Sequence, residues 1–519
     1  MNNDQYRTII TLPNIGFIGG ILGFIFFYLF QPPSWYTIAF QNLYSLSPSD
    51  ALLASVNSMK AISIVWLVIA LWLTEALPLP ITALLPAIFS PFLSLLQVKN
   101  GVVQELPLSA ILSNYTSTIV FLFLGGFIIA QALTKHSVEQ RWASWLLSKK
   151  QFAKSPQRII LGLMLISAFI SMWVNNTATS AMLIPVAIGI ATRIKDNAQN
   201  ALSSHTENFM IVGVLAVAWS ASIGGIGTLV GSAPNGIAVG NLKQATGIVI
   251  SFSDWVLYGL PIVLILLPIA WKLLFVLLPT NSIKFADIPK ELLQFKSAKT
   301  PAQNRVIGIF VLTALLWVSV PFLKDIPFDS LKTVLKGFTE WTIPLICSLL
   351  FFVIPTGKIS DERLLQWKDV QKIDWGTLLL FGGGLALSSI LFQTGTMEVC
   401  TKLLIANVGT VSEPVITLLF GFFVNFSTEL TSNIALTSII SPVGISIAKQ
   451  LSISVEPLLM VIAITASFAF MLPVGTPPNA IAYSTGKIPL SVMIKCGFLL
   501  NIISTIIAWA WILIVYSFK

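Results

Sequence analysis

The chain has 519 residues, 55% of them hydrophobic and 10% charged, with a net charge of +9 and a mean hydropathy of +0.86. A soluble domain carries about 25% charged residues, so this much apolar surface excludes a water-soluble shape and sets the fold class as an all-α polytopic membrane protein. Lys and Arg cluster in 135–158 (six), 193–195 (two), 272–305 (six) and 358–372 (four). That is the positive-inside distribution rather than a basic face, and it argues against a nucleic-acid partner.

A membrane span needs roughly 20 apolar residues. In chain order, single spans are predicted at about 15–31, 60–77, 79–96, 115–134, 255–278, 305–323, 341–355, 374–393 and 490–517. The first apolar run has no small-residue cleavage site and further spans follow, so it reads as a first helix, not a signal peptide. Regions 156–192, 209–247, 411–449 and 456–486 are too long for one span or are interrupted by Gly, Pro and Asn. Cys347, Cys400 and Cys496 show no metal spacing and imply no disulfide framework. His136 and His205 lie in polar stretches, and the Trp residues read as interface anchors.

Three blocks recur in the same order. Thr118–Leu133 is similar to Thr377–Leu391; Asn175–Val186 (NNTATSAMLIPV) aligns without gaps on Ser432–Val443 (SNIALTSIISPV); Gly231–Ala238 (GSAPNGIA) aligns on Gly475–Ala482 (GTPPNAIA). The first member of the first pair is followed by the six-charge cluster. Its mate is followed by residues 394–412, which hold only Lys402. The halves are therefore expected to be inverted, a common plan of secondary transporters. Region 156–192 becomes a re-entrant hairpin entered from the cytoplasm, and 411–449 its mate from outside. In this topology cytoplasmic segments hold 21 Lys and Arg and external ones 9, three of them in the loop 324–336.

Four polar stretches then meet at membrane depth: the hairpin tips 171–179 and 428–437, and the breaks 231–235 and 475–479. Non-helical backbone persists at that depth only where it is buried in protein or lines a cavity. Broken helices leave free N–H groups that suit an anion, and carbonyls that suit a hard cation such as Na⁺. The site then needs no charged side chain, and the +9 charge is not the binder. Gly125–Gly126 and Gly382–Gly384 lack a strand and a full dinucleotide fingerprint, so they read as close helix packing. Glu75 is placed near a helix end beside Pro78. Glu429, next to the second tip, either organises that tip or touches a cation. Without H-E-x-x-H, G-x-S-x-G or a histidine at membrane depth, nothing marks an enzyme.

At these residues the chain resembles the divalent anion/sodium symporter family, which includes the sodium–dicarboxylate cotransporters. The family's paired Ser-Asn-Thr motif stands here as Asn175-Asn176-Thr177 and Ser432-Asn433-Ile434. The contexts GGIGTLVGSAPN, FMLPVGTPPNAIAYSTG and SFSDWVLYGLPIVLILLP are similar too, and the likeness runs from about residue 60 to the C-terminus. The resemblance implies a homodimer in the inner (plasma) membrane with the N-terminus cytoplasmic. It implies eleven transmembrane helices and two re-entrant hairpins per protomer. Scaffold segments 1–155 and 281–408 would hold an elevator-type transport domain, 156–280 and 409–519. By motif position it implies a first sodium site at Ser171, Asn175, Asn176 and Gly231, and a second at Thr428, Thr431, Asn433 and Gly475. It also implies a substrate site at Asn176, Thr177, Ser232, Asn433, Thr476 and Pro477. Asn175, Ile434 and Ala233 depart from the family pattern; Ile434 removes a hydroxyl. The implied function is Na⁺-coupled symport of a C4-dicarboxylate such as succinate, malate or fumarate, with Na⁺ as the coupling ion and no cofactor. A sodium-independent dicarboxylate exchanger and a sulfate transporter are the alternatives.

Overall fold

A computed structural model describes residues 12–149, 151–152, 155–197, 202–283, 300–323, 337–357, 362–406 and 411–518. The three-lysine loop 324–336 lies outside them. Among the described residues nine helices are long and apolar enough to cross a membrane, and five shorter apolar helices accompany them.

The chain opens with α1 (Leu12–Leu29), α2 (Ser34–Tyr44) and α3 (Pro48–Thr74). Ser47 starts α3 by accepting the Asp50 N–H, with Pro48 at the first turn, and Glu75 ends it in a left-handed conformation, φ 50°. Glu75 thus sits at a helix end, as expected. The span expected at 79–96 is instead two short helices, α4 (Leu79–Thr82) and α5 (Leu85–Phe92), running into an antiparallel hairpin of β1 (Leu96–Lys99) and β2 (Val102–Glu105). Pro86 lacks the N–H that one long helix would use there. The Asn100-Gly101 dipeptide, with φ 52° and 75°, makes a tight hairpin turn.

Next come α6 (Leu108–Leu112), α7 (Thr118–Lys135) and α8 (Val138–Leu147). Two helices joined by a short turn, α9 (Pro156–Ser171) and α10 (Asn176–Asn197), fill the first over-long region, and α11 (Ser203–Gly225) and α12 (Ala233–Thr246) the second. Then follow α13 (Phe252–Leu277), α14 (Pro301–Leu323), α15 (Thr342–Val353), α16 (Trp367–Val370), α17 (Trp375–Gln393) and α18 (Thr396–Ile405). The last part runs through the pair α19 (Glu413–Ser427) and α20 (Asn433–Gln450), the interrupted pair α21 (Val455–Thr465) and α22 (Pro477–Ser484), and α23 (Leu490–Ser517). The parts interlock: α12 packs on α20 and α21, and α22 packs on α10 and α11.

The glycine runs do allow close packing. A side chain on Gly125 would start 2.8 Å from Pro344 of α15, and one on Gly383 would run into the Ala83 carbonyl. The tryptophans divide. Trp72, Trp219 and Trp255 are fully buried rather than interfacial, and Trp255 donates to the Ile226 carbonyl at 2.9 Å. Trp219 and Trp255 share the core around α11, while Trp72 fills a separate core with Ile64 and Val68.

The two interruptions are braced alike. Between α11 and α12, Asn235 Nδ2 donates to the carbonyls of Gly225 (3.1 Å) and Thr228 (2.9 Å). Between α21 and α22, Asn479 Nδ2 donates to Ala469 (2.9 Å) and Leu472 (3.1 Å). Both asparagines are 0% exposed. Each amide replaces helical N–H partners that the Gly/Pro-rich turn cannot supply. A separate polar clip lies at the other end of α7. Lys135 Nζ donates to Asp369 Oδ2 at 2.8 Å, and the Gln366 N–H donates to the same oxygen. Burial pushes the Asp369 carboxyl up, but Lys135 and the Gln366 N–H outweigh it and hold it below its usual range.

Asn235→Ala and Asn479→Ala should each cost about 2 kcal/mol, because two carbonyls lose their partner in a buried turn. The check is the thermal midpoint of detergent-purified protein; no shift in either variant refutes the bracing role. Lys135→Met should cost about 1–2 kcal/mol at neutral pH. Because Asp369 is depressed in the folded state, its contribution is complete above the unfolded carboxyl value of about 3.9 and fades as pH falls through the folded value. The wild-type–variant difference in midpoint should therefore hold from pH 7 to about 4 and shrink below it.

Candidate functional site

The two helix-pair turns are the residues from which the site is built. In the first, Ser171 ends α9 and its Oγ donates to Asn176 Oδ1 at 2.6 Å, while Asn175 Oδ1 accepts the Thr177 N–H at 2.7 Å and caps α10. In the second, Thr428 Oγ1 donates to Asn433 Oδ1 at 2.5 Å and also lies 2.9 Å from the Ala466 carbonyl. A hydroxyl fixing an asparagine five residues on recurs in both turns. With the nitrogen of each amide turned away from its hydroxyl, Asn176 and Asn433 can offer N–H to an anion and oxygen to a cation.

Each turn is fastened to the adjacent interruption. Thr228 Oγ1 donates to the Met172 carbonyl in the first half. In the second half Glu429 does this work. Its Oε1 accepts the N–H groups of Phe470 (2.7 Å) and Met471 (2.8 Å) and Asn501 Nδ2 (2.7 Å); Oε2 accepts the Leu472 N–H (2.8 Å). Glu429 is 2% exposed. Of the two roles expected for it, tip organisation is the one these bonds display.

Both turns and both interruptions face one cavity of about 720 Å³. Asn175, Asn176, Thr177, Gly231, Ser232, Asn433, Gly475, Thr476 and Pro477 line it, together with the departing positions Ala233 and Ile434. Ser171, Thr428 and Thr431, expected as cation ligands, lie buried behind that lining. The Thr431 hydroxyl has no hydrogen-bond partner. Ser232 Oγ shares a hydrogen bond of 3.0 Å with Ser467 Oγ, so the hydroxyl expected to meet substrate is already engaged. Thr476 Oγ1 accepts the Asn479 N–H at 3.5 Å as the cap of α22.

Helices α10, α12, α20 and α22 all begin at this cavity, so four partly positive helix ends are directed at it. Among the described lining residues there is no lysine or arginine. Carbonyls crowd the first interruption: a side chain on Gly231 would start 2.6 Å from Gly225 O, 2.9 Å from Met172 O and 3.0 Å from Ser171 O. Hydroxyl, amide and carbonyl oxygens without thiols or imidazoles suit a hard monovalent or alkaline-earth cation, not a transition metal. Sequence reasoning missed Glu75, Asp374, Phe123 and Phe127 as lining residues of this cavity. These positions belong to α7 and to the ends of α3 and α17, and only packing brings them to the cavity that the turns share. Asn501 was missed as well, although a lone Asn inside the apolar run 490–517 was a usable signal.

Two solved structures bear on the fold, and two sequence relatives and a family profile bear on the family. The Alcanivorax borkumensis YdaH transporter shares the fold at TM-score 0.52 and 12% identity, covering 88% of this chain and 98% of that one. Neisseria gonorrhoeae MtrF, of a class of antimetabolite efflux pumps, does so at TM-score 0.53 and 12% identity, covering 87% and 96%. In sequence, an uncharacterised transporter of Haemophilus influenzae is 35% identical, over 84% of this chain and 87% of its own. The sodium-dependent dicarboxylate transporter SdcS of Staphylococcus saprophyticus is 34% identical, over 86% and 83%. The family profile described as the sodium:sulfate symporter transmembrane region matches residues 33–518. A match across nearly the whole chain, on a multi-pass helical fold whose turns gather polar groups instead of catalytic ones, makes this protein a member of the divalent anion/sodium symporter family, which is a family of transporters and not of enzymes.

Proposed function

We propose that the protein carries a small dicarboxylate, of the C4 size of succinate, malate or fumarate, together with Na⁺ across the plasma membrane. The observation that carries this reading is the cavity: four helix N-termini and two hydroxyl-fixed asparagines, Asn176 and Asn433, with no cationic side chain among the described lining residues. Dipoles fixed in a low-dielectric site hold an anion without the desolvation cost of a buried lysine. The names of the Staphylococcus relatives, sodium-dependent dicarboxylate transporters, support the same substrate class and coupling ion.

In this reading Asn176, Thr177, Ser232, Asn433, Thr476 and Pro477 meet the carboxylates. Na⁺ is held by Ser171, Asn175, Asn176 and the Gly231 carbonyl at the first turn, and by Thr428, Thr431, Asn433 and the Gly475 carbonyl at the second. The two turns are tips of re-entrant hairpins in an eleven-span, inverted-repeat protomer with a cytoplasmic N-terminus. Residues 156–280 and 409–519 slide as one unit against a dimeric scaffold of 1–155 and 281–408. Coupling follows from solvation. Unpaired oxygens and helix ends oppose the empty unit's passage past apolar scaffold helices, and bound cation and anion satisfy them together.

Labelled succinate taken up into proteoliposomes should require a Na⁺ gradient and saturate; uptake unchanged in choline supports the exchanger, and competition by sulfate alone supports the sulfate transporter. Asn176→Ala and Asn433→Ala should each reduce uptake at least 100-fold, on the order of 3 kcal/mol per lost first-contact group, with folded protein retained. Full activity in either excludes the site. Ile434→Thr should change carboxylate selectivity, an unaltered substrate profile showing that position 434 faces away. Single cysteines at Lys149 and Thr300 should label from the cytoplasmic face and one at Lys99 from outside; any other pattern overturns the orientation.

A further inference from the structure

The two halves are built on matching bonds, yet one contains a polar cluster that the other lacks. By the alignment that pairs Asn176 with Asn433, Asn425 and Glu429 correspond to Ala168 and Met172. Gly259 and Gly497 press on the carbonyls of Ile226 and Phe470, the corresponding residues of the two interruptions, so α13 and α23 are in register and Asn501 corresponds to Val263. In the first half these positions are an apolar, buried patch. In the second they are Asn425, Glu429 and Asn501, at 0%, 2% and 0% exposure. Packing this architecture does not demand polar groups here, since the first half does without them.

The cluster is incompletely satisfied. Asn501 Nδ2 donates to Glu429 Oε1, and Asn425 Nδ2 donates to the Asn501 carbonyl at 3.4 Å. Flipping either amide would set oxygen against oxygen, so these contacts fix which end of each is the acceptor. Both acceptors, Asn425 Oδ1 and Asn501 Oδ1, are buried without a donor. The Asn501 carbonyl also takes the hydroxyls of Ser504 (3.1 Å) and Thr505 (2.9 Å), so neither of these serves the amide oxygens. The carboxylate of Glu429 has N–H partners only, with no lysine or arginine among them, and its Oε2 accepts a single N–H. That oxygen is 3.1 Å from where a side chain on Gly475 would begin, so the cluster, which includes the tip residue Glu429, adjoins the second interruption. A buried carboxyl group bonded into one cluster with two asparagines whose amide oxygens lack donors is an oxygen-rich grouping, the chemistry of a small hard cation.

We propose that Asn425, Glu429 and Asn501 form an additional site for a Na⁺-sized monovalent cation behind the second tip, beyond the two tip sites, and that the first half has no counterpart. The inference rests on the sodium-coupled reading above. The test is ²²Na⁺ binding to purified protein by equilibrium dialysis, counted per chain and needing no transport, together with the steepness of Na⁺ activation of uptake. Asn425→Ala and Asn501→Val install the first half's own residues. Each should lose one bound Na⁺ per chain, lower the Hill coefficient by up to one, and leave tip binding in place. If Asn501→Val does not yield a monodisperse protein, Asn425→Ala, which leaves the Asn501–Glu429 bond intact, decides the matter. A Na⁺ count equal to wild type means that a water satisfies the amides and overturns the site. Loss of all bound Na⁺ in Asn425→Ala means that the cluster only props the second tip and overturns it too. Wild type that binds no Na⁺ overturns the sodium-coupled reading and this inference together.

Discussion

A polypeptide that stops being helical inside hydrocarbon must find partners for every N–H and C=O it frees, because the solvent offers none. The rest of this structure depends on how that constraint is met at two places. Asn235 joins the carbonyl where α11 ends to that of Thr228, and Asn479 joins the carbonyls of Ala469 and Leu472 within the second interruption. With those carbonyls tied, the turns hold Gly231 and Gly475 against the helix-pair tips and leave the starts of α12 and α22 open to the cavity. At the tips a hydroxyl five residues earlier holds Asn176 or Asn433 and aims the amides. Free helix ends and fixed amides are thereby collected without a lysine or arginine among the described lining residues.

The halves meet the constraint by different chemistry. In the first, a neutral threonine, Thr228, bonds the tip carbonyl of Met172. In the second, Leu472 stands at the threonine's position, and the carboxylate of Glu429 reaches from the tip to three backbone N–H groups instead. A neutral clasp and an anionic clasp give the same backbone shape but different electrostatics. Glu75 and Asp374 line the same cavity as the helix ends, so carboxyl groups and free helix ends share one chamber.

Much of this was legible from residues alone because membrane solvation writes itself into composition. Apolar stretches of span length, basic clusters between them, and Gly/Pro/Asn interruptions identified the helices, the two helix-pair turns and the two breaks. The recurrence of Asn176 and Asn433 in matching blocks marked the site, and both line the cavity. Legibility failed where local chemistry competed with hydrophobicity. Residues 79–96 are apolar enough for a span, yet their prolines and the Asn100-Gly101 turn make short helices and a hairpin. The buried Trp72, Trp219 and Trp255 carry the same residue type as interfacial tryptophans, and burial is not encoded in the type.

By itself the sequence determined the class of the protein, the position of its polar stretches and the family to which its motifs belong, since each follows from residue types at short range. Only the tertiary structure decided which oxygens remain available. Ser232 is engaged by Ser467, Asn501 reaches Glu429 across 72 residues, and Glu75 and Asp374 arrive at the cavity from helices remote in the chain. Hydrogen-bond partnership is a property of positions in space, and a chain that folds through long-range helix packing fixes those positions only when the whole bundle is assembled.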